Sequence, residues 1–416
     1  MNHFRGGVKR NTSIKHLSQS LSSDHCSKRA NVICDEILSC SLVVVVVVVG
    51  VVEVGLMDTI RWNGENEEDV RSAAACLRAG GLVAFPTETV FGLGGDATRD
   101  LSVAAIFHAK GRPSDNPLIV HVASSRALLE LGFVKQPWPR DAARLMETFW
   151  PGPLTLVLPL QPGGPISRRV TAGLDSVAVR VPKHPVALAL LAAAAIPIAA
   201  PSANSSGRPS PTRSHHVWSD LHGKIDGILG APVASVSVGV ESTILDLTSD
   251  EPTILRPGGV SREALEKVLG SNIRSWTPSH VTTGVPKAPG MKYRHYAPSA
   301  SVRLVANEDL EREVRREVGS GSRVGVLATE IDINRLRSKL EFETAGHVVL
   351  VPCGKSERSM ETVAQDLFDA LRSFDELADP VDVVIAQEFS DAGIGAAVMN
   401  RLRKAAGKEG DTNPEM

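Results

Sequence analysis

The sequence predicts an α/β protein of two domains, the first built on a mixed sheet and the second on a small parallel sheet. The chain has 416 residues, which is more than one hydrophobic core usually organises. Short apolar runs bounded by Gly, Pro, Asn or Ser are typical of strands, and they recur along most of the chain. Between them, apolar residues recur every three or four positions, which is typical of helices.

Residues 1–57 form an atypical extension before the predicted domains. The first 29 residues are rich in Ser, Lys, Arg and His with Asp24 as the only acid, a composition similar to an organellar transit peptide. The run Ile37–Val52 is largely apolar, but its 16 residues fall short of the roughly 20 that a membrane span needs. Three interpretations stay open: a mis-called start with translation from Met57, which we favour, a targeting peptide, or a membrane anchor. The first predicts a cytoplasmic protein with no membrane association, and the second an organellar one.

Residues 58–275 are predicted to form the first α/β domain. The predicted strands are Leu82–Phe85, Leu118–Val122, Leu154–Leu158, Val177–Val181, Ile196–Ala199, Ile225–Leu229 and Thr243–Leu247. The predicted helices are Val70–Ala79, Leu101–Lys110, Arg140–Phe149, Val186–Ala194 and Arg262–Leu269. Strands and helices alternate only loosely, so a mixed sheet is favoured over a regular doubly wound sheet.

Residues 301–416 are predicted to form the second domain, in which strands and helices alternate regularly, as in a small Rossmann-like sheet. The predicted strands are Val302–Val305, Val324–Ala328, Val348–Val351 and Val381–Ala386, and the predicted helices are Glu308–Val318, Met360–Ser373 and Ala396–Ala406. Between the domains, residues 276–300 contain four prolines, which exclude a long helix or a central strand. Charged and aromatic residues are adjacent at positions 292–296, so we predict a loop that returns to a ligand site.

Composition excludes several classes of protein. The net charge is −2, so no overall basic field indicates nucleic-acid binding, although a local basic cleft is compatible with that charge. Aromatic residues make up 4%, which argues against RNA recognition by base stacking. The five cysteines form no CxxC pair, which excludes a zinc ribbon or a redox motif. The body of the protein is therefore predicted to be cytosolic and free of disulfides.

Lys110 and Arg112 lie two residues apart in a turn bounded by Gly and Pro. Such a pair of cations is either a solvated surface or a site for a polyanion such as a nucleotide triphosphate. The next strand favours the second interpretation, because Asn116 precedes a proline at its mouth and His121 closes it. Polar side chains thus bracket one predicted strand.

Other polar residues lie at the ends of predicted strands. The small polar residues Ser202–Gly207 follow an apolar run, and such residues either donate to phosphate or ribose or simply form a turn. Arg180 and Arg256 each close a strand-like run. Because strand ends can converge on one crevice, we expect Arg112, Arg180 and Arg256 to share a pocket.

Two familiar glycine motifs are discounted. The segment Gly92–Ala97 matches GxGxxA as a turn between a strand and a helix, as in a dinucleotide-binding fold. Polar residues 87–89 interrupt that junction, and basic residues stand where the ribose-binding acid is required. Residues 354–356 lack the first glycine of a Walker A motif. No Ser-His-Asp set or spaced metal-ligand cluster is recognisable in the sequence, so metal ligands stay unassigned.

Several segments in order resemble the Sua5/YrdC family of L-threonylcarbamoyladenylate synthases. Between residues 80 and 259 they are FPTETVFGLG, KGRPSDNPLIVH, WPGPLT, TAGLDSVAVRVP, IAAPSANSSGRPSPT, ESTILDL and ILRPGG. The later segments PGMKYRHYAP and GIGAAVMNRLRKAA resemble the long form of the family, which has a C-terminal domain. Family members often have Asp where Glu88 stands and Tyr where Phe91 stands, and both differences are mild.

The resemblance implies a YrdC-like twisted sheet with flanking helices and a basic cavity. It also implies an enzyme that joins L-threonine, bicarbonate and ATP into threonylcarbamoyl-AMP and pyrophosphate. Mg²⁺ would accompany ATP, and a separate transferase would use the product for the t6A modification of tRNA adenosine 37. The implied L-threonine contacts are Thr89, His121, Arg180, Ala200 and Ser242. The implied ATP contacts are Arg112, Asn116, Ser176, Ser202, Ser210, Arg256 and Tyr296, with Lys110 and Arg112 as the catalytic cations.

This chemistry fits the residues, because joining two anionic reactants needs clustered cations and hydroxyls rather than a nucleophilic triad. Tyr296 and its neighbours would close over the labile product and exclude water. One alternative is a non-catalytic RNA-binding or ribosome-maturation module, and weak RNA binding is compatible with a basic cavity. The acidic balance and scarce aromatics argue against it. The other is a carbamoyltransferase of the hydrogenase-maturation type, which would require CxxC pairs that the sequence lacks.

Overall fold

Two sheets carry the fold of this computed structural model, which describes residues 58–230, 236–276, 286–291, 295–339 and 346–407. The first sheet has eleven strands and the second has four. The interpretations of residues 1–57 lie outside the described residues, and the boundaries drawn at 275 and 300 stay predictions. Within the described part of the chain, no helix combines the length and the apolar character needed to cross a bilayer.

The first sheet is mixed, as the loose alternation of elements predicts. Its strands are β1 Ile60–Asn63, β2 Val83–Phe85, β3 Gly92–Asp96, β4 Ile119–His121, β5 Leu154–Pro159, β6 Ser176–Arg180, β7 Ile198–Ala199, β8 Gly227–Gly230, β9 Thr243–Asp246, β10 Thr253–Arg256 and β11 Arg274–Ser275. The spatial order is β1-β8-β2-β3-β7-β4-β6-β5-β9-β10-β11. The pair β4 and β6 is parallel, which places His121 directly beside Arg180.

The helices of the first domain are α1 Glu67–Ala79, α2 Asp100–Lys110, α3 Ser125–Leu131, α4 Ala142–Phe149, α5 Pro185–Ala194, α6 Ser214–Leu221 and α7 Arg262–Leu269. Local sequence fixes where α1 begins, because the Asn66 side chain accepts hydrogen bonds from the backbone N–H groups of residues 68 and 69. Helix α2 ends at Gly111, whose φ of +61° suits glycine and turns the chain directly into Arg112.

The prediction of a glycine-rich turn at Gly92–Ala97 is wrong, because residues 92–96 form the buried strand β3. Crowding explains the glycines. A Cβ on Gly94 would lie 2.9 Å from the Phe85 ring, and one on Gly95 would lie 3.0 Å from both Leu82 and Ile106. Side chains are therefore excluded where this strand packs against Phe85 of β2 and against Ile106 of α2.

The second sheet is fully parallel, which confirms the Rossmann-like prediction. Its strands are β12 Ser301–Val305, β13 Val324–Ala328, β14 Val348–Pro352 and β15 Val383–Gln387, in the order β12-β15-β13-β14. Its helices are α8 Leu310–Gly319, α9 Glu330–Lys339, α10 Met360–Ser373 and α11 Gly395–Ala405. The sequence did not predict α9, where apolar residues are few.

The second domain packs directly on the first. Arg372 of α10 donates to Asp220 of α6 at 2.8 Å, and both side chains are almost fully buried. Val90 and Val240 of the first domain belong to the hydrophobic core of the second, so apolar packing joins the two domains as well. The docking is close, since a Cβ on Gly239 would lie 2.1 Å from the Ala364 carbonyl oxygen.

Candidate active site

A cavity with about 640 Å³ of empty space, its open mouth included, lies over the ends of several strands of the first sheet. Ten of the predicted site residues line it: Thr89, Arg112, His121, Arg180, Ala200, Ser202, Ser210, Ser242, Arg256 and Tyr296. Three predicted residues do not line it: Lys110, Asn116 and Ser176. The lining is rich in guanidinium and hydroxyl groups.

The three arginines that the strand-end argument places in one pocket do share this cavity. Arg112 follows α2, and its guanidinium donates to the backbone carbonyls of Asn116 at 3.2 Å and Pro117 at 3.0 Å. Arg256 ends β10, and its Nη2 donates to the Ser242 carbonyl at 2.9 Å. These backbone contacts fix both guanidiniums on the cavity wall, where they suit an anionic ligand.

Arg180, at the end of β6, is held by the loop that follows β2. Its Nη2 lies 2.7 Å from a carboxylate oxygen of Glu88, and both side chains are almost fully buried. Its Nη1 donates to the Thr89 hydroxyl at 2.9 Å, and its Nε donates to the Gly152 carbonyl at 3.2 Å. A planar guanidinium with this many fixed partners has one orientation, so it presents a rigid cationic surface.

His121 lies beside Arg180 on β4 and is buried. Burial and the Arg180 charge lower the pKa of this imidazole to about 3, so it is neutral near pH 7. Its Nδ1 has no hydrogen-bond partner among the described residues. A neutral imidazole with a buried, unpartnered nitrogen suits contact with a polar group of a small substrate.

A second wall comes from the loop after β7, which backbone hydrogen bonds join to β3. Leu93 N–H donates to the Pro201 carbonyl, and Phe91 N–H donates to the Pro211 carbonyl, both at 2.8 Å. This pairing holds Ser202 and Ser210 on the cavity side. Ala200 also lines the cavity, and its own N–H is used by the Ile119 carbonyl of β4.

Lys110, which the resemblance implies as a catalytic cation, does not line the cavity. Its buried Nζ donates to the backbone carbonyls of Ser202 and Asn204, beneath the loop rather than in the cavity. Burial, and then the Arg112 charge, lower the pKa of this amine. The geometry therefore makes Lys110 a positioning residue for the loop, because its amine is held by two loop carbonyls and points away from the cavity.

Asn116 and Ser176 also lie outside the cavity lining. Asn116 is buried behind Arg112, and its side-chain amide has no partner among the described residues. Ser176 begins β6, four residues before the cavity residue Arg180, and successive strand residues rise about 3.3 Å each. Ser176 thus lies at the opposite end of β6 from Arg180, and Asn116 lies in the segment that precedes β4.

Tyr296 closes the cavity from the side of the second domain. Its φ of +70° is unusual for a residue other than glycine, and its ring lies 5.4 Å from that of Phe368 in α10. Gly290 is close enough that a Cβ there would lie 3.3 Å from the Tyr296 hydroxyl. Residues 292–294 lie outside the described part of the chain, so the predicted closing movement of the loop stays a prediction.

Sequence reasoning missed Glu88 and Glu241, the two buried carboxylates of the site. Glu241 accepts from the Ser210 hydroxyl at 2.6 Å and from Arg401 Nε of α11 at 2.9 Å. Burial raises the pKa of this carboxyl, but the charges of Arg401 and Arg256 outweigh burial and lower it to about 2. The available signal was the position of each glutamate in a stretch of small or apolar residues, where an isolated charge needs a buried partner.

The carboxylates of the site are not arranged as a metal cage. Glu88 is paired with Arg180, and Glu241 with Arg401 and Ser210. A separate group of potential ligands, His215, His216 and Glu376, does not line the cavity. Both nitrogens of His216 are engaged, Nδ1 by backbone N–H groups and Nε2 by Asp369. The described residues around the cavity therefore suit a metal cation that enters already bound to its ligand, rather than one held by protein carboxylates.

The histidine in the cavity predicts a pH dependence of stability. The folded pKa of His121, about 3, lies below its ordinary value of 6.5, so the unfolded chain binds the proton first. Stability should therefore fall as the pH decreases from 6.5 towards 3, by up to about 1.4 kcal/mol per pH unit from this group. Thermal melts of His121→Asn should show a smaller loss of Tm between neutral pH and pH near 5 than the wild type. An equal loss in both proteins would contradict the assignment.

Comparisons with known proteins converge on one family. Residues 75–258 match the family described as "Telomere recombination", whose family name joins Sua5, YciO and YrdC, and residues 260–407 match "Threonylcarbamoyl-AMP synthase, C-terminal domain". A threonylcarbamoyl-AMP synthase of Bacillus subtilis is 48% identical over 367 residues, covering 84% of this chain and 99% of the relative. One of Pyrococcus abyssi is 45% identical over 350 residues, covering 82% of this chain and 95% of the relative.

A solved structure agrees with these relatives. The crystal structure of P. abyssi Sua5 complexed with L-threonine is 44% identical, with a TM-score of 0.73. The match covers 84% of this chain and 97% of that one, so both sheets are included. The two-sheet architecture described above is therefore shared.

Proposed function

Since the chain belongs to the Sua5/YrdC family of threonylcarbamoyl-AMP synthases, we propose that its cavity holds ATP and L-threonine together and joins them through bicarbonate. The observation that carries this proposal is the convergence of Arg112, Arg180 and Arg256 on one cavity that is also lined by hydroxyl groups. Several fixed cations in one pocket suit a reaction between two anions.

Within the cavity, we assign the region around Arg180 to L-threonine. The Arg180 guanidinium offers a fixed cation for the amino acid carboxylate, and the buried hydroxyls of Thr89 and Ser242 lie nearby. Neutral His121 completes this end without adding a second positive charge. Together these groups suit a small zwitterion that carries a hydroxyl group.

The other region of the cavity is assigned to the nucleotide. Arg112 and Arg256 supply charge for the triphosphate, Ser202 and Ser210 supply hydroxyl donors, and Tyr296 supplies an aromatic wall. Mg²⁺ is proposed to enter as the ATP complex, held through phosphate oxygens and water, because the carboxylates of the site are already paired with arginines.

The proposed reaction has two steps. The threonine ammonium first loses a proton to solvent, and the amine then attacks bicarbonate or CO₂ so that a C–N bond forms. With bicarbonate a water is released, with CO₂ a second proton leaves the nitrogen, and either route leaves a carbamate. A carbamate oxygen then attacks the α-phosphorus, and the bond to the β,γ-phosphates breaks so that pyrophosphate leaves. The protein stabilises the charge that accumulates in this second step through Arg112 and Arg256 and keeps the reactants aligned.

The test is direct detection of the product. Purified protein incubated with ATP, Mg²⁺, L-threonine and isotope-labelled bicarbonate should release pyrophosphate and form labelled threonylcarbamoyl-AMP, identified by mass spectrometry. Omitting threonine should abolish both signals. A protein that binds RNA but gives neither product nor threonine-dependent pyrophosphate would support the non-catalytic alternative instead.

We further propose that a separate transferase consumes the product to form t6A in tRNA, since a mixed anhydride of this kind is an activated donor of its threonylcarbamoyl group. We propose a cytoplasmic location for this enzyme, and the buried free thiol of Cys353 is compatible with a reducing compartment. Imaging of the tagged full-length chain tests the location, and an organellar signal would favour a targeting role for residues 1–57.

A further inference from the structure

Arg401 is a buried cation of the second domain that lies behind the cavity wall and is bonded to the cavity residue Glu241. It lies on α11, and its side chain is fully buried despite its large size and its charge. A charged side chain is almost never fully buried unless its partners compensate the lost hydration. Its partners therefore indicate what it does.

Those partners are next to two of the proposed nucleotide contacts. Arg401 Nε donates to one oxygen of Glu241 at 2.9 Å, and the other oxygen of Glu241 accepts from the Ser210 hydroxyl at 2.6 Å. Arg401 Nη1 donates at 2.6 Å to the carbonyl of Pro257, the residue after Arg256. A chain of hydrogen bonds thus connects α11 to Ser210, and a second contact connects it to the backbone beside Arg256.

The charge of Arg401 matters as much as its hydrogen bonds. Glu241 lines the cavity and is a potential competitor for Arg256, because a buried carboxylate attracts the nearest guanidinium. With Arg401 in place, Glu241 is neutralised from the side of the second domain, and Arg256 Nη2 is bonded to the Ser242 carbonyl instead. Arg256 thus shares the Glu241 charge with Arg401 and gives its own hydrogen bond to the backbone.

We propose that Arg401 is a positioning residue that the second domain supplies for nucleotide binding, acting through Glu241 on Ser210 and Arg256. This inference rests on the proposed function and deepens it, since it gives the second domain a task in the same site. Lys404, one turn further along α11, donates to the Gly290 carbonyl and holds another cavity residue from the same helix.

Other contacts keep the domains together when Arg401 is changed. The buried pair of Arg372 and Asp220 and the stacking of Tyr296 on Phe368 are independent of it. Arg401→Gln keeps hydrogen-bonding capacity but removes the charge, and Arg401→Gln with Glu241→Gln keeps the pair neutral if the single variant does not fold. Arg403→Gln is the matched control on the same helix, because Arg403 pairs with Asp391 and does not line the cavity.

The experiment measures ATP and threonine separately in the full-length enzyme. For Arg401→Gln we expect the KM and the dialysis Kd for ATP to rise about 10- to 100-fold, with the Kd for threonine changed less than about threefold. Arg401→Lys should recover part of the loss, and Arg403→Gln should match the wild type. The double variant should keep the wild-type Tm but not the ATP affinity.

An unchanged Kd for ATP in a folded Arg401→Gln or double variant would overturn the proposal. So would an equal loss of ATP and threonine affinity that follows Tm, since that result indicates a purely structural role. These outcomes are separate from the proposed function, because a wild-type protein that makes no product refutes the synthase, whereas ATP binding by dialysis still reports on Arg401.

Discussion

Arg112→Ala is expected to lower kcat/KM for ATP by about 10²- to 10³-fold while leaving the fold intact. The loss should be large because the Arg112 guanidinium faces the cavity and would stabilise charge on the triphosphate as pyrophosphate leaves. The effect on folding should be small because Arg112 is half-buried, and its hydrogen bonds to Asn116 and Pro117 are to backbone carbonyls. Product formation measured at varied ATP, alongside thermal melts, checks both parts.

Two comparisons sharpen this first prediction. Arg112→Lys keeps the charge but loses the planar fork, so its activity should fall between those of the wild type and Arg112→Ala. Arg126→Ala removes an exposed arginine that pairs with Glu130 on the surface, so its activity should equal that of the wild type. Full activity in Arg112→Ala would remove this residue from the site.

Arg180→Gln is expected to have the larger effect on stability, because it leaves the Glu88 carboxylate buried without its cation. Breaking one partner of a buried ion pair costs about 3–5 kcal/mol, so a strong decrease of Tm should accompany the loss of activity. Activity alone therefore does not separate binding from folding in this variant. Both members of the ion pair, Arg180 and Glu88, have to be replaced by neutral residues.

The double variant Arg180→Gln with Glu88→Gln separates folding from binding. Neutral amides can hydrogen-bond to each other and to Thr89, so most of the lost stability should return. The cation for the threonine carboxylate is still missing, so KM for threonine should remain about 10- to 100-fold above that of the wild type. Recovery of threonine affinity together with Tm would show that Arg180 has only a structural role.

The sequence predicts the cavity well where its residues lie at strand ends. Arg180 ends β6, Arg256 ends β10 and His121 ends β4, and the apolar runs before them predict those ends directly. The mixed first sheet and the parallel second sheet follow from how regularly strands and helices alternate. These features are local, so a single sequence carries them.

Features that depend on contacts between distant residues were not predicted. Glu88 meets Arg180 and Glu241 meets Arg401 across long stretches of chain, and neither pairing has a local pattern. The glycines of residues 92–96 predict a turn, whereas the structure has a buried strand there, because packing against Phe85 and Ile106 requires these glycines and backbone flexibility does not. The sequence also gives no side-chain direction for Lys110, so it does not predict that this amine lies beneath the loop.

The hydrogen bond between Arg401 and Glu241 joins residues 160 positions apart. Glu241 is therefore synthesised well before the partner that neutralises it. A nascent polypeptide can present every residue of the cavity lining once position 296 has left the ribosome, yet it still lacks the helix that braces Glu241. At about 5–20 residues per second, translation of the next hundred residues takes on the order of 5–20 s. The bracing bond therefore forms only after both sheets have been made, which places completion of the pocket late in the maturation of the polypeptide.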